Sequence, residues 1–413
     1  MTDRGKLLLI AAVALKLLGR FFGVPALEMA ATASLALILL ALLYTRVASA
    51  RLAARRHVHP LHLFHDARGA VEIEVANEGR LPTALLLVED QVPTAVADPA
   101  RFVIEPLRPH QIGVVSYELH GRQRGRYTIG PAKVHLRDPF GIATRAVRFG
   151  HTDHVVVYPP VWALPPVLPR VGRFGTALEG QNKPLSVSGE FASVREYVRG
   201  DDLRKVHWKS TARRAKLMVK QEESPQESQA TVVCDLRRAA HSGSGPTSTF
   251  ELAVAAAASG AYHLHDRGYK LRLLTAPVAA TPPSTPWESV LERLAVVQPE
   301  PGTTLAPLWQ QLSKGIGGEG LLLVVAPVPN AQELRDMVKG GRGFGSRVAV
   351  MVAGAPRRGG GADARAGAQA VAALRAAGWR VTLYRPGDTL AERWRELALH
   401  ARQPTAAGSA VAR

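Results

Sequence analysis

Cysteine is all but missing. Cys234 is the single one in 413 residues, so no internal disulfide can close, and zinc sites built on several cysteines are excluded. A reducing compartment is therefore allowed. Acidic side chains are also in deficit: 34 Asp and Glu stand against 52 Lys and Arg, a formal net charge of +18. That excess favours something acidic as a contact, whether a lipid leaflet, nucleic acid or an acidic protein. The chain has no G-x4-G-K-[ST] phosphate loop, so it is not expected to be an ATPase itself. The run Gly340-Gly341-Arg342-Gly343-Phe344-Gly345 is glycine-rich but precedes a strand. A phosphate loop opens a helix, so this run reads as a flexible connector. What remains is ordinary for a folded protein, with 46% hydrophobic and 21% charged residues, and the length suits two to three domains.

Long apolar runs occur at the N-terminus. Ala26 to Thr45 holds one charge, Glu28, and about 20 residues suffice to span a bilayer core. Tyr44 stands where an interfacial aromatic belongs. Leu7 to Val24 is interrupted by Lys16 and Arg20, which share one helix face and can be shielded by a second helix or snorkel to the interface. The pattern predicts a transmembrane helical hairpin. Arg4 and Lys6 before it and Arg46, Arg51, Arg55 and Arg56 after it outnumber Lys16 and Arg20, which places both ends in the cytoplasm. With the second run alone spanning, the flanks balance and orientation is undetermined. A cleaved signal peptide is the alternative, but no clean A-x-A site follows the first run.

Residues 57–165 read as a β-sandwich of immunoglobulin-like type. Val71-Glu72-Ile73-Glu74-Val75 alternates as a half-buried strand does, and further short strands follow at turn-punctuated spacing. Asp138-Pro139-Phe140-Gly141 reads as a turn with an aromatic plug. His57, His59, His62 and His65 are irregularly spaced and read as an exposed juxtamembrane strand rather than metal ligands. Prolines from Pro159 to Pro169 mark a connector.

The densest pattern follows: Gly189-Glu190-Phe191, Arg195-Glu196-Tyr197, Gly200-Asp201-Asp202, Arg204, His207-Trp208-Lys209 and Ala212-Arg213. Asp201 and Asp202 can cap a helix over Leu203 to Arg214. On it Arg204 and Trp208 lie four apart, as do Lys209 and Arg213. Four readings stand: a structural knot of Arg–carboxylate pairs; a docking surface for an acidic partner; a phosphate or nucleic-acid site; and a hydrolase or nuclease site using Glu190, Glu196, Asp201, Asp202 and His207.

From Ala230 onward, apolar strand runs alternate with helical periods, which predicts a doubly wound α/β domain with a mostly parallel sheet. Ligands in such sheets sit at the carboxyl ends of the strands.

The string G-E-F-x3-R-E-Y-x2-G-D-D-x-R-x3-W-K-x2-A-R resembles the signature of the bacterial domain of unknown function, family 58. Arg124-Gly125-Arg126-Tyr127, Asp138-Pro139-Phe140-Gly141 and the N-terminal apolar hairpin extend the likeness. The resemblance implies a von Willebrand factor A-like C-terminal domain and an association with MoxR-type AAA+ ATPases; it establishes no activity. In von Willebrand factor A domains a D-x-S-x-S run, a later Thr and a later Asp hold a metal ion. Here Asp235 matches the first Asp, Arg237 and Ala239 replace the serines, Thr303 matches the Thr, and Ala326-Pro327 replaces the late Asp. Such remnants argue against octahedral Mg²⁺, and Arg237 or Arg238 is the candidate internal counter-ion for Asp235.

The expected organisation is a hairpin anchor at 1–56, a β-sandwich at 57–165 holding the rest off the bilayer, a linker and signature block at 166–228, the α/β domain at 229–402 and a disordered tail at 403–413. The expected function is a non-enzymatic scaffold at the cell membrane, with cytoplasmic domains and no cofactor. It docks a protein, by resemblance a MoxR-type AAA+ ATPase, through Arg195, Glu196, Tyr197, Asp201, Asp202, Arg204, Trp208, Lys209 and Arg213. The positive flanks also favour anionic lipid. A hydrolase or nuclease and a membrane-tethered nucleic-acid binder are the alternatives.

Overall fold

The computed structural model describes residues 1–168, 193–198, 206–214, 216–221, 229–276, 279–282, 284–301, 304–313, 320–354 and 361–399. They fall into two compact units, Met1–Pro159 and Pro160–Arg413.

The first unit opens with α1 (Asp3–Phe22) and α2 (Pro25–Ser49). Gly23, left-handed at φ 64°, ends α1, and Pro25 starts α2 at a position whose missing N–H costs nothing. The short turn lays the helices side by side. Lys16 Nζ meets Glu28 Oε2 at 3.2 Å, so one of the two cations that interrupt the first apolar run is matched by the acid of the second. Among the described residues, α2 alone is long and apolar enough to cross a membrane. Tyr44, half-buried near the end of α2, also makes protein contacts. Its hydroxyl donates to the Pro82 carbonyl at 2.9 Å, and its ring packs on the β-rich core.

Strands follow at β1 (Leu52–His59), β2 (His62–Leu63), β3 (Arg68–Asn77), β4 (Leu86–Asp90), β5 (Ala100–Ile104), β6 (Ile112–His120), β7 (Gly125–Ile129), β8 (Ala132–Arg137), β9 (Thr144–Phe149) and β10 (Asp153–Val157). They form sheets of order β1-β3-β6, β2-β10-β7 and β5-β4-β8-β9, antiparallel apart from the β2–β10 pair. The alternation in β3 does what it predicts: Val71, Ile73 and Val75 are fully buried, while Glu72 and Glu74 turn away. One core joins them to Leu86, Val134 and Val155.

Two expectations change here. β1 starts at Leu52, inside the stretch assigned to the anchor. The reason is Arg56, counted as a membrane flank but only 3% exposed in its side chain. Its Nη2 lies 2.6 Å from Asp90 Oδ1 and its Nη1 3.1 Å from Asp153 Oδ2. The Tyr117 hydroxyl donates to the same Asp90 at 2.7 Å. Burial, then the Asp90 charge, pushes Tyr117 well above the ordinary phenol pKa. Phe140, in turn, is no plug: it is 62% exposed.

The second unit begins with β11 (Ser193–Glu196), α3 (Trp208–Arg214) and β12 (Met218–Gln221), the two strands pairing antiparallel. Then come β13 (Gln229–Asp235), α4 (Thr249–Asp266), β14 (Lys270–Ala276), β15 (Ala279–Ala280), α5 (Trp287–Val296), α6 (Ala306–Ser313), β16 (Leu321–Pro327), α7 (Ala331–Gly340), β17 (Ser346–Val352), α8 (Gly361–Ala376), β18 (Arg380–Tyr384) and α9 (Leu390–Leu399). Among the described residues they build a sheet of order β15-β14-β13-β16-β17-β18, parallel except for β15 at its edge. β13 and β16 are buried along nearly their whole length, as strands covered on both faces must be. The order reverses between β13 and β16, so the crevice at their carboxyl ends is the switch point of the fold.

The glycine-rich run after α7 is not a flexible connector. A Cβ on Gly340 would meet the Trp309 ring at 2.8 Å, and one on Gly341 would collide with Trp379. Phe344 is 4% exposed. Glycine serves close packing there. The stretch 355–360 and the tail expected at 403–413 lie outside the described residues.

Candidate functional site

Asp235 ends β13 at the switch point, fully buried. The Arg237 amide donates to its Oδ1 at 3.0 Å, turning the chain back over the strand end. The Arg237 side chain then grips the carboxylate: Nε lies 3.0 Å from Oδ1 and Nη2 2.8 Å from Oδ2. Its remaining Nη1 donates to Glu333 Oε1. Burial alone would lower Arg237, but hydrogen bonds and charge from Asp235, then from Glu333, hold it above its ordinary pKa. Arg238, the other candidate counter-ion, points elsewhere and donates to the Pro299 carbonyl at 3.2 Å.

Glu333 enters from α7, the helix after β16. Asn330 caps that helix, its Oδ1 accepting from the amides of Gln332 at 3.0 Å and Glu333 at 2.9 Å. Glu333 Oε2 accepts from the Asn330 amide at 3.1 Å, leaving Oε1 for Arg237. One carboxylate therefore closes a capping box and half of an ion triad. His241 meets the same corner, its Nε2–H donating to the Asp235 carbonyl oxygen at 2.8 Å. Burial keeps His241 below its ordinary pKa. Glu333 and His241 are absent from the sequence-based site. Asn330-x-x-Glu333 has the form of a helix start, but nothing local points it at Asp235.

These residues do not fit a divalent cation. A guanidinium occupies the carboxylate face a metal would take, Ala239 offers no hydroxyl, and Ala326 and Pro327 offer no side-chain oxygen. Thr303 lies outside the described residues. Among the described residues no three His, Cys, Asp or Glu side chains gather as a metal site.

The signature block is placed in part. Glu190, Asp201, Asp202 and Arg204 lie outside the described residues, and of Arg195 only the backbone in β11 is described. The helix expected over Leu203 to Arg214 is described from Trp208. Val206, 5% exposed, bridges instead to Val219 of β12. Glu196 pairs with Lys216 at 2.9 Å, on the surface. The Tyr197 amide donates to the Leu217 carbonyl at 2.8 Å. His207 Nδ1 lies 2.7 Å from Ser210 Oγ. Met218 and Val219 are buried beneath α3 at 3% and 4%, while the helix itself buries none of its residues. Trp208 is 70% exposed, and Lys209, Arg213, Arg214 and Lys216 are exposed as well.

The fold and this site define a class: a doubly wound α/β domain whose switch point is filled by an internal cation, preceded by a β-rich unit with an apolar helical hairpin. Residues 193–352 match the family described as "Protein of unknown function DUF58", and the chain carries a domain of that family. No curated protein matches the chain. Among solved structures, the CARDB domain of the PF1109 protein from Pyrococcus furiosus, in complex with di-metal ions, is 19% identical, covers 26% of this chain and 91% of its own, and has a TM-score of 0.20. The alkylpurine DNA glycosylase AlkC of Pseudomonas fluorescens, bound to DNA containing an abasic site analog, is 13% identical over 32% of this chain and 38% of its own, at 0.19. The C-terminal domain of wzt is 10% identical over 25% and 72%, at 0.20. Scores this low carry no argument about fold or activity.

Proposed function

We propose that this protein is a membrane-anchored, non-enzymatic scaffold that docks an acidic protein partner through the face around Trp208. The observation that carries the reading is Trp208 itself, 70% exposed, on a short helix that also exposes Lys209, Arg213 and Arg214. A large exposed aromatic among cations suits a desolvated anchor with a steering rim. The family resemblance makes a MoxR-type AAA+ ATPase the partner of choice. The sequence-based reading assigns Arg195, Glu196, Tyr197, Asp201, Asp202 and Arg204 to the same dock, of which Asp201, Asp202 and Arg204 lie outside the described residues.

The finer architecture belongs to this reading. The sheet order with its antiparallel edge strand supports a von Willebrand factor A-like domain, and the packed antiparallel sheets support an immunoglobulin-like sandwich. Lys16–Glu28 pairing favours a hairpin in which both helices cross, with both ends in the cytoplasm.

The test is affinity capture of the full chain from native membranes at modest salt, followed by mass spectrometry. Trp208→Ala and Arg213→Glu are expected to lose the AAA+ partner while the protein stays folded. Undiminished capture by both variants, or substrate turnover by purified protein, overturns the reading.

A further inference from the structure

Asp138-Pro139-Phe140-Gly141 marks a turn that points its aromatic outward by construction. The Asp138 carboxylate is buried and accepts from the amides of Phe140, at 2.9 Å, and Ala143. The Gly141 amide donates to the Asp138 carbonyl at 3.0 Å. The loop is thus braced from within, with Phe140 on its outside, 62% exposed.

The same turn is fastened to the two apolar helices. The Thr2 amide donates to the Ile142 carbonyl at 3.0 Å and the Thr2 hydroxyl to the Gly141 carbonyl at 2.6 Å. Ile142 and Ala143 are buried against Ile38 and Ala41 of α2, with Leu8 of α1 beside them. On its other flank at this level, α2 exposes Leu39, Leu40 and Leu43 at 68%, 60% and 55%, and Val47 a little further on at 47%. Residues 39–47 cover about 12 Å of helix axis. Along that length one side of α2 holds the β-rich unit and the other remains apolar and open. The unit therefore lies beside the last turns of the helix, not beyond its end. Arg137 and Arg145 are exposed where β8 and β9 leave the turn, and Arg4 approaches Gly141.

We propose that the 138–143 turn is an interfacial membrane anchor. Phe140 sits at the boundary between headgroups and acyl chains of an anionic phospholipid leaflet, and Arg4, Arg137 and Arg145 meet the phosphates. The arrangement continues the apolar surface of α2 with an aromatic and a basic fringe, the composition that interfaces select. The inference rests on the reading that α2 is embedded. It replaces the spacer role with direct seating of the β-rich unit on the bilayer.

The experiment uses the full chain carrying Cys234→Ala, reconstituted in nanodiscs of phosphatidylcholine with or without phosphatidylglycerol. A nitroxide is attached singly at Phe140→Cys, Leu39→Cys and Val103→Cys, and its collisions with oxygen and with a water-soluble nickel chelate are compared. Val103, 58% exposed, lies on β5, three strands from β9 and so roughly 14 Å away. Labels at 39 and 140 are expected to favour oxygen, and the label at 103 to favour nickel. Omitting phosphatidylglycerol, or introducing Arg4→Gln, Arg137→Gln and Arg145→Gln together, is expected to move the label at 140 toward water and leave that at 39 unchanged. A label at 140 as wet as that at 103, with 39 still in lipid, sinks the anchor and spares the embedded helix. A wet label at 39 sinks both. A label at 140 shielded from both reagents means protein covers the turn, a second copy included, and likewise overturns the proposal.

Discussion

Replacing Arg237 by alanine leaves Asp235 and Glu333 as two carboxylates at one strand end with no cation between them. Removing one partner of a buried ion pair costs about 3–5 kcal/mol, and that loss is expected here. Arg237→Lys recovers little of it, because an ammonium cannot bridge both carboxylates with a planar fork. All six tryptophans, Trp162, Trp208, Trp287, Trp309, Trp379 and Trp394, lie in the Pro160–Arg413 unit. Tryptophan fluorescence during denaturation of the solubilised full chain therefore reads this effect directly. Arg56→Ala strips Asp90 and Asp153 in the other unit and should cost a similar amount by circular dichroism, with the tryptophan transition unmoved. His263 supplies a pH dependence. Burial, with Arg267 nearby, pushes its pKa from 6.5 down to about 4. The unfolded chain takes up this proton first as pH falls. The stability it supports is complete above pH 6.5, erodes between 6.5 and about 4, and changes no further below that. His263→Phe, keeping an aromatic ring against Trp394, should flatten that part of the melting-temperature profile.

At the scale of elements, legibility followed periodicity. The alternation in β3 and the unbroken apolar runs of β13 and β16 needed no tertiary information, because each pattern encodes how many faces of the strand are covered. β1 was hidden because Arg55 and Arg56 read as a charged flank, and only Asp90 on β4, a strand of another sheet, and Asp153 on β10 make a buried guanidinium tolerable. β5 and α6 are short and weakly patterned. The glycine-rich corner after α7 misled for another reason: its glycines are required by Trp309 and Trp379, which are remote in sequence. Gly341→Ala is accordingly expected to destabilise by about 1–3 kcal/mol through overpacking. Asn330→Ala, which removes the cap of α7, should cost about 1 kcal/mol. Both are measurable by the same tryptophan-detected denaturation.

Across the whole molecule, the +18 charge forecasts acidic contacts without saying where. Tertiary structure sorts the cations into uses. Arg56 and Arg237 are consumed internally, whereas Lys209, Arg213 and Arg214 face solvent beside Trp208. For the proposed dock, Trp208→Ala is expected to weaken capture of the partner by about 2 kcal/mol, roughly thirtyfold. Salt should separate the two kinds of cation. At about 1 M the Debye length shrinks to ~3 Å, so partner capture should fall while the thermal stability due to the Arg237 triad persists.

The sequence by itself determined the apolar helices, the alternation of the β-rich unit, the parallel α/β sheet and the absence of hydroxyls at Arg237 and Ala239, two and four residues after Asp235. Each of these is written in neighbouring residues, through length, period or direct replacement. Only the tertiary structure decided that Arg237, rather than Arg238, neutralises Asp235, that Glu333 shares the guanidinium, that Arg56 is buried and that Phe140 faces outward. Those outcomes depend on which strand ends and helix starts the sheet order brings together, and no local pattern carries that information.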